Sequence, residues 1–376
     1  MTDRLLFEAG PFAVQAARLV GGRLVAYDAL PANALPWLGR RYLGRVGRVE
    51  PALRAAFVEL GEPVQGLLPL AGQRRLVEGE AVSVSVVREP EAGKGPLLAL
   101  VEGAVTAGRT APARLAADDP VLALLRAFIR PELEEIAVGG NAAAVRALCR
   151  QCLPGAEKLV RSVPAPFADP AIEEAIFALL SPEIALPSGG RLTLEHARAM
   201  TVVDVDLGAA AGLGRRAITA TNLEAATALA EALRMRDIGG LVVVDFLKER
   251  GRAAGERLRQ ALLHATAADP GEVRVGRPTT FGLIDLTRQR RRPPLDWRLG
   301  EPCADCPGGR RLAGWWLAER AAMRLRREVA HWPGRTLALS APPDVVLLLS
   351  AAAALPACEY RADPALPRDA LEIGPS

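Results

Sequence analysis

Two hydrophobic segments that end in aspartates contain the residues of this sequence best suited to chemistry. They are 201–206 (TVVDVD) and 241–246 (LVVVDF). Their β-branched residues favour buried strands. Burying a carboxylate is unfavourable unless a positive group meets it, and carboxylate oxygens are ligands that suit Mg²⁺ or Mn²⁺. The segments therefore indicate a divalent metal site. The alternative is that these are ordinary turn and capping aspartates.

The spacing of the aspartates indicates how they would meet. Asp204 and Asp206 are two positions apart in a strand, so both side chains point to the same face. The amphipathic segment Asn222–Met235 predicts a helix that Asn222 caps, and Asp245 ends the strand that follows. This strand–helix–strand order predicts parallel pairing, with both acidic ends at one edge of a sheet. Asp204, Asp206 and Asp245 are the predicted Mg²⁺ ligands, a set suited to phosphodiester cleavage.

The cysteines indicate a second metal site. Four of the five fall in two Cys-x-x-Cys pairs, Cys303 with Cys306 and Cys149 with Cys152. A structural Zn²⁺ needs four ligands, so the pair at 303 and 306 supplies only half of a site. Either the same loop of another subunit or Cys149 and Cys152 would complete it. The latter pair lies in a predicted helix, where cysteines are more often core residues.

Composition and charge give weaker indications. The chain has 376 residues, half of them hydrophobic, and a formal net charge of +4. Basic runs such as 288–292 (RQRRR) fit either a solvated surface or an anionic partner such as nucleic acid. The first residues lack the pattern of a secretory signal, and no apolar stretch is long enough to span a bilayer. We therefore predict a cytoplasmic protein without a membrane span.

The order of elements predicts several domains. Strand-like segments within 3–30 include a hairpin turn at Gly21 and Gly22. Four short strand-like segments between 42 and 87 recur at near-regular spacing, which is typical of a small barrel. Residues 96–120 are interpreted as a linker. The barrel would thus interrupt two α/β pieces, and a smaller region of helix, strand and helix would follow residue 313.

Several sequence blocks resemble the ribonuclease E/G family, in the family's order and over nearly the whole chain. The most specific are 222–226 (NLEAA) and 234–240 (RMRDIGG). The others are 42–46 (YLGRV), 55–61 (AAFVELG), 186–190 (LPSGG), 199–206 (AMTVVDVD), 281–290 (FGLIDLTRQR) and the loop with Cys303 and Cys306. By this resemblance the chain is identified as a member of that family.

The resemblance implies an α/β multidomain fold. An RNase H-like domain, formed by 1–37 and 121–185, would be interrupted by an OB-fold RNA-binding barrel at 38–100. Residues 101–120 would be a linker that retains a remnant of the family's 5′-sensor region. A DNase I-like α/β catalytic domain at 186–298, a zinc-link loop at 299–312 and a small α/β dimerisation domain at 313–376 would follow. Because the sensor region is short, we expect reduced or absent preference for RNA 5′ ends.

The resemblance also implies which residues bind metals. Asp204 and Asp245 match the family's catalytic aspartates, which hold the Mg²⁺ that activates water. Cys303 and Cys306 match the cysteines that share one Zn²⁺ between two subunits. This pairing implies a homodimer, or a dimer of dimers, joined through the zinc link.

Two barrel residues match family positions that bind single-stranded RNA. Phe57 matches an aromatic that stacks on a base, and Lys94 matches a basic residue. Leu67 stands where the family has a second aromatic, so we expect a weaker grip on RNA, because each stacked base contributes roughly 1–3 kcal/mol. The alternative for Phe57 is a place in the barrel core.

Two departures from the family pattern lie beside the predicted metal site. Asp206 replaces an asparagine, and its charge would either tighten Mg²⁺ binding or repel phosphate. Lys248 replaces an acidic residue, and its ammonium would either compete with the metal or contact phosphate. The expected function is a Mg²⁺-dependent endoribonuclease that cuts single-stranded RNA in rRNA processing or mRNA turnover. The alternatives are a catalytically weak or inactive RNA-binding paralogue and a zinc-linked structural dimer.

Overall fold

The structure is a computed structural model that describes all residues except 1, 35, 71–74, 92, 103–107, 117–118, 198, 211–213, 250–251, 307–308 and 354. Its contacts divide the chain into two compact units. The first comprises Met1–Val87, Gly93–Ile176 and Trp297–Ser376, and the second comprises Arg88–Ala92 and Phe177–Asp296. Each unit has hydrophobic core clusters of its own. The mixed α/β, multidomain character expected from the sequence is confirmed.

The first sheet of the first unit mixes antiparallel and parallel pairs. Its strands are β1 (Asp3–Ala9), β2 (Ala13–Val20), β3 (Arg23–Pro31), β10 (Glu135–Gly139) and β11 (Val160–Ser162). The order is β11-β10-β1-β2-β3, in which β1, β10 and β11 run parallel and β1, β2 and β3 run antiparallel. Gly21 and Gly22 connect β2 to β3 with positive φ, so the predicted hairpin turn is confirmed.

Three helices of the first unit lie between the barrel segment and residue 178, and each buries a few apolar side chains. They are α1 (Pro120–Phe128), α2 (Ala142–Cys152) and α3 (Pro170–Ala178). Asp119 caps α1 by accepting the Val121 N–H at 2.6 Å, and Asn141 caps α2 by accepting the Ala144 N–H at 3.1 Å. These caps satisfy backbone N–H groups in the first turn and so favour the start of α1 at Pro120 and of α2 at Ala142.

The strands between β3 and α1 close into an OB-like barrel. They are β4 (Arg41–Glu50), β5 (Ala55–Glu59), β6 (Gly66–Pro69), β7 (Ala81–Arg88) and β8 (Leu97–Leu100), and β9 (Ala113–Ala116) is added beside β4. The order β5-β6-β8-β7-β4, with β5 also paired to β4, closes a five-stranded barrel. The predicted barrel is confirmed. The segment 96–120 differs from the prediction because it contributes β8 and β9 rather than a linker alone.

The rest of the first unit is a small α/β region. Its elements are the hairpin β18 (Gly300–Pro302) and β19 (Arg310–Leu312), then α7 (Gly314–His331), β20 (Leu337–Ala341), α8 (Pro343–Ala351), β21 (Cys358–Ala362) and β22 (Glu372–Pro375). β20 lies between β21 and β22 in a three-stranded sheet. The predicted helix, strand and helix are present, and β21 and β22 are additional strands.

The second unit contains a six-stranded sheet of order β12-β13-β14-β15-β17-β16. The strands are β12 (Glu183–Ala185), β13 (Arg191–His196), β14 (Met200–Asp206), β15 (Gly240–Asp245), β16 (Val273–Val275) and β17 (Ile284–Arg288). The helices are α4 (Arg215–Met235), α5 (Arg252–Thr266) and the short α6 (Leu295–Arg298).

Helices α4 and α5 pack on one face of this sheet. Leu229 of α4 and Leu262 of α5 are fully buried in one cluster with Val203 and Val244 of the sheet. Alternate residues such as Val202 lie on the other face and are exposed. Throughout the described part of the chain, no helix combines the length and apolarity needed to cross a membrane.

A buried charged cluster attaches α7 to the first sheet. Glu319 of α7 accepts the backbone N–H groups of Phe12 and Ala13 at 2.9 and 3.1 Å, and Arg326 donates to Glu8 of β1 at 2.5 Å. Burial raises the pKa of Glu8 to about 7, although Arg326 opposes the shift, and burial also raises the pKa of Glu319. The folded protein therefore binds protons at these carboxyls more tightly than the unfolded chain does.

We predict that the free energy of unfolding falls as pH rises from about 4.5 to about 7, with a slope of at most about 1.4 kcal/mol per pH unit for each group. The folded state holds the extra proton in that window, so raising the pH favours unfolding. Glu8→Gln should flatten the slope, because the amide keeps an acceptor for Arg326 without titrating. Urea unfolding at several pH values measures this slope, and Glu174→Gln, at an exposed residue, is the control. An unchanged slope in Glu8→Gln would contradict the assignment.

Candidate active site

The two acidic strands of the second unit lie side by side. β14 and β15 pair in parallel, and their register places Asp204 directly opposite Asp245. Neighbouring strands are about 4.8 Å apart. The parallel pairing predicted from the strand–helix–strand order is confirmed, so Asp204 and Asp245 are brought together at one edge of the sheet.

Asp204 and Asp245 lie on the solvent-exposed face of the sheet. The residues that alternate with them, Val203, Val205 and Val244, point into the core and are at most 4% exposed. The expectation that these carboxylates are buried is therefore wrong, because the helices pack on the other face. Proximity of two negative charges, rather than desolvation, is what favours a cation between them.

Asp206 lies on the same face and closes a turn. Its Oδ1 accepts the Gly208 N–H at 2.5 Å. Gly208 has a φ of +49°, and a Cβ there would lie 2.5 Å from the carbonyl oxygen of Gly189. Asp206 thus has the ordinary turn role that was the alternative for these aspartates. The role of Asp206 as a third metal ligand stays a prediction.

A buried asparagine on α4 fixes the loop that follows Asp245. The Nδ2 of Asn222 donates to the Leu247 carbonyl at 2.9 Å and to Glu249 Oε1 at 3.0 Å, and its Oδ1 accepts the Leu247 N–H at 3.0 Å. Breaking such bonds leaves buried polar groups unpaired. The expectation that Asn222 caps the helix is wrong, because α4 begins at Arg215 and Asn222 lies within it.

The hydrogen bonds of Asn222 to Leu247 and Glu249 form a clamp on this loop, and Glu249 is its anionic partner. It also accepts hydrogen bonds from Thr219 Oγ1 and from the Arg257 guanidinium, both at 2.9 Å. Burial would raise the pKa of Glu249, but the bonds from Asn222, Thr219 and Arg257 outweigh it and hold that pKa below its ordinary value. Glu249 is therefore a fixed structural anion.

The same helix holds the loop at 186–190. Glu224 accepts the Ser188 N–H at 2.8 Å, and the hydroxyls of Ser188 and Thr221 lie 2.9 Å apart. A Cβ at Gly190 would lie 2.5 Å from Thr221 Cγ2, so only glycine allows this approach. One helix therefore fixes both the loop before β13 and the loop after β15.

Sequence reasoning missed Thr219, Glu224 and Glu249 as supports of the site. The available signal was the polar spacing on α4, since Thr219 and Asn222 are three residues apart and share one face of the helix. Polar side chains on a helix face that is otherwise apolar indicate buried partners.

The donor set at 204 and 245 fits Mg²⁺. Among the described residues, no three or more His, Cys, Asp or Glu side chains gather closely enough to hold a metal ion. Mg²⁺ does not require such a group, because it commonly keeps several waters and takes one or two protein carboxylates with substrate phosphate. Two neighbouring exposed carboxylates match that pattern.

The barrel residues form a row across its outer surface. Phe57 on β5 lies opposite Arg48 on β4 and Leu67 on β6, and Leu67 lies opposite Leu97 on β8. The Arg48 guanidinium carbon is 5.1 Å from the centre of the Phe57 ring. Phe57 is half-buried and lies outside the cluster that fills the barrel, so the alternative of a core role is wrong. Lys94, just before β8, is exposed.

The two cysteine pairs have different surroundings. Cys303 and Cys306 lie in the loop of the β18–β19 hairpin and are half-buried. Cys149 lies on α2 and is fully buried in the core, and burial raises its pKa to about 11. All four cysteines belong to the described residues, in which no group of three potential ligands forms. Cys149 and Cys152 therefore do not complete the pair at 303 and 306 within one chain.

Curated relatives of this chain are named ribonucleases. Ribonuclease G of Haemophilus influenzae is 32% identical over 213 residues, which are 55% of this chain and 43% of that protein. Ribonuclease E of the same organism is 26% identical over 367 residues, covering 71% of this chain and 39% of the relative. Ribonuclease E of Escherichia coli is 35% identical over 148 residues, covering 38% of this chain and 14% of the relative. The chain thus spans less than half the length of each of these proteins.

A family-level comparison covers the barrel's last strands, α1 to α5 and the acidic edge. Residues 99–291 match the ribonuclease E/G family, and this match includes just over half of the chain. The matched residues include Asp204, Asp245, Asn222 and Glu249. The chain belongs to the ribonuclease E/G family.

Proposed function

We propose that the protein is a Mg²⁺-dependent endoribonuclease that cuts single-stranded RNA, in rRNA processing or mRNA turnover in the cytoplasm. The observation that carries the proposal is the strand register that sets Asp204 beside Asp245 on an exposed face. Relatives named ribonuclease G and ribonuclease E support the same activity.

The residues of this chain have distinct tasks in the proposed reaction. Asp204 and Asp245 hold the metal through their carboxylates. Asn222 and Glu249 fix the backbone after Asp245, so that its carboxylate stays opposite Asp204. Bound Mg²⁺ would polarise a phosphate oxygen and lower the pKa of a coordinated water.

The barrel surface is the proposed grip on the RNA strand. Phe57 is half-exposed and can stack on a base, while Arg48 and Lys94 can bind phosphates. Leu67 and Leu97 continue the row without a further aromatic ring. We propose that the barrel binds single strands with weak sequence preference.

The finer domain assignments are part of the same proposal. The sheet order β11-β10-β1-β2-β3, with the barrel placed between β3 and α1, supports an RNase H-like domain at 1–37 and 121–185. The sheet that carries Asp204 and Asp245, packed on one face by α4 and α5, supports a DNase I-like catalytic domain at 186–298.

The hairpin that carries Cys303 and Cys306 is proposed to link two subunits. Two thiols supply half of a tetrahedral Zn²⁺ site, and no further ligand joins them within the described part of one chain. The matching hairpin of a second copy would supply the other half.

A second candidate is an RNA-binding paralogue that cuts slowly or not at all. Lys248 lies three residues after Asp245 and is exposed. An ammonium near the two carboxylates would lower their affinity for a cation. This candidate keeps the RNA grip and loses the metal-dependent step.

Asp204→Asn and Asp245→Asn should each lower Mg²⁺-dependent cleavage of an unstructured RNA by at least about 100-fold. Metal polarisation contributes several kcal/mol, and each 1.36 kcal/mol is a factor of ten in rate. Single-turnover cleavage measures the loss, and Mn²⁺ binding followed by electron paramagnetic resonance reports the site independently of activity.

Glu195→Gln is the matched control, because Glu195 is an exposed carboxylate on β13, opposite Val202. It should change cleavage by less than about threefold. Asp206→Asn keeps an acceptor for Gly208, so its effect on Mn²⁺ affinity isolates any ligand role. Undiminished cleavage by Asp245→Asn would reject the site.

Asn222→Ala should lower kcat while leaving KM for RNA nearly unchanged, because it frees the loop that carries Asp245. It should also destabilise the protein by roughly 2–4 kcal/mol, since buried polar groups at Leu247 and Glu249 lose partners. Steady-state kinetics and urea unfolding measure both effects. Thr227→Ala is the control, because that exposed hydroxyl donates to the Leu223 carbonyl within α4 itself. Equal kcat values in the two variants would show that the clamp does not position Asp245.

Purified protein should contain one Zn²⁺ for every two chains, and Cys303→Ser should lose both the metal and the dimer. Elemental analysis and sedimentation measure the two quantities. Cys358→Ser, at a half-buried cysteine in β21, should keep both. One Zn²⁺ per chain in a monomer would refute the shared site.

A further inference from the structure

Phe281 is the most exposed large hydrophobic side chain among the described residues, with 83% of its surface accessible. It lies in the second unit, on the loop between β16 and β17. Single exposed hydrophobic residues are common on protein surfaces, so exposure alone assigns no role. The loop around it and the space beside it do indicate one.

The loop holds Phe281 in a fixed place. The Thr279 N–H donates to the Leu283 carbonyl at 2.8 Å, and the Leu283 N–H donates back to Thr279 Oγ1 at 3.1 Å. Gly282 takes a φ of +91°, which closes the turn. At the other end, Pro278 contacts α5 so closely that a Cβ at Gly255 would lie 2.9 Å from its ring. A tightly bonded loop therefore presents an aromatic ring to solvent.

A cavity of about 370 Å³ connects this loop to the acidic edge. Asp245 and Phe281 both line it, and the buried residues Ala254 and Leu258 provide apolar surface. Its volume falls within the range of small-ligand sites, about 300–1,000 Å³. An occupant of this cavity would lie beside Asp245, at the end of β15.

The cavity also contains a cation. Lys248 lines it and is exposed, so its ammonium can reach an anionic group. These features match the parts of a nucleotide in a single strand. The aromatic ring suits the flat base, the ammonium suits the phosphate, and the apolar surface suits the sugar.

We propose that this cavity is the subsite for the nucleotide next to the scissile phosphate, with Phe281 stacked on its base and Lys248 bound to its phosphate. The proposal rests on the ribonuclease function proposed above. Stacking uses the face of a base, which every base has, so the subsite is tolerant of sequence. It also assigns Lys248 to the substrate rather than to competition with the metal.

The test uses Asp245→Asn protein, which should bind RNA without cutting it. A short single-stranded RNA carries the fluorescent base 2-aminopurine at each position in turn, and stacking on an aromatic ring quenches it. Stacking on Phe57 of the barrel should quench 2-aminopurine at one position and stacking on Phe281 at another, so adding Phe281→Ala should remove only the second quenching and weaken binding about 5- to 150-fold. Phe281→Trp should restore both. Trp332→Ala, at an exposed aromatic of the first unit, is the control and should change neither.

Lys248→Gln provides a second, independent measurement. When a protein binds a single strand, the logarithm of the binding constant falls linearly with the logarithm of the salt concentration. The slope is about −0.7 for each phosphate that the protein neutralises. The variant should therefore reduce the slope by about 0.7, whereas an unchanged slope would remove Lys248 from the subsite.

Cleavage measured in parallel on proteins with an intact Asp245 separates the two proposals. Quenching that depends on Phe281, in a protein that never cuts RNA, would overturn the ribonuclease proposal and keep the subsite as a binding site. The opposite result is efficient cleavage together with equal RNA binding and equal quenching in Phe281→Ala and Trp332→Ala. That result would overturn the subsite alone. A fold defect in Phe281→Ala is recognised by its thermal melting, and Phe281→Trp then decides the outcome.

Discussion

The in-register parallel pairing of β14 with β15 is the constraint on which the candidate site depends. Asp204 and Asp245 are neighbours only in this register. A slip by one residue would turn an aspartate into the core and a valine out to solvent. The fully buried Val203 and Val244 therefore enforce the position of the carboxylates. The hydrophobic core, rather than any contact between the charged groups, places the two carboxylates opposite each other.

Helix α4 converts this register into a fixed site. Its apolar face packs on the sheet, while Asn222 and Glu224 reach the loops on either side of the acidic edge. Both loops are bonded to the same helix, so neither moves without breaking partly buried hydrogen bonds. Such support is what a metal or phosphate site needs, because a small displacement of a ligand costs affinity and rate.

The two aromatic side chains proposed to stack on RNA bases lie on separate parts of the fold. Phe57 lies on the outer barrel surface beneath Arg48, and Phe281 projects from a closed loop near Asp245. The leucines at 67 and 97 leave the barrel row with a single ring. A strand held by few stacked bases depends more on phosphate contacts, so the proposed binding should respond strongly to salt.

The sequence alone determined the elements with strong local signals. Glycines at 21 and 22 closed a hairpin, evenly spaced strands predicted the barrel, and a strand–helix–strand order predicted the parallel pair that ends in Asp204 and Asp245. Tertiary structure alone decided that these carboxylates face solvent, because exposure depends on which face the helices cover. It also decided that Asn222 clamps a loop instead of capping a helix, because its partners at 247 and 249 are distant in sequence and are brought to it only by packing.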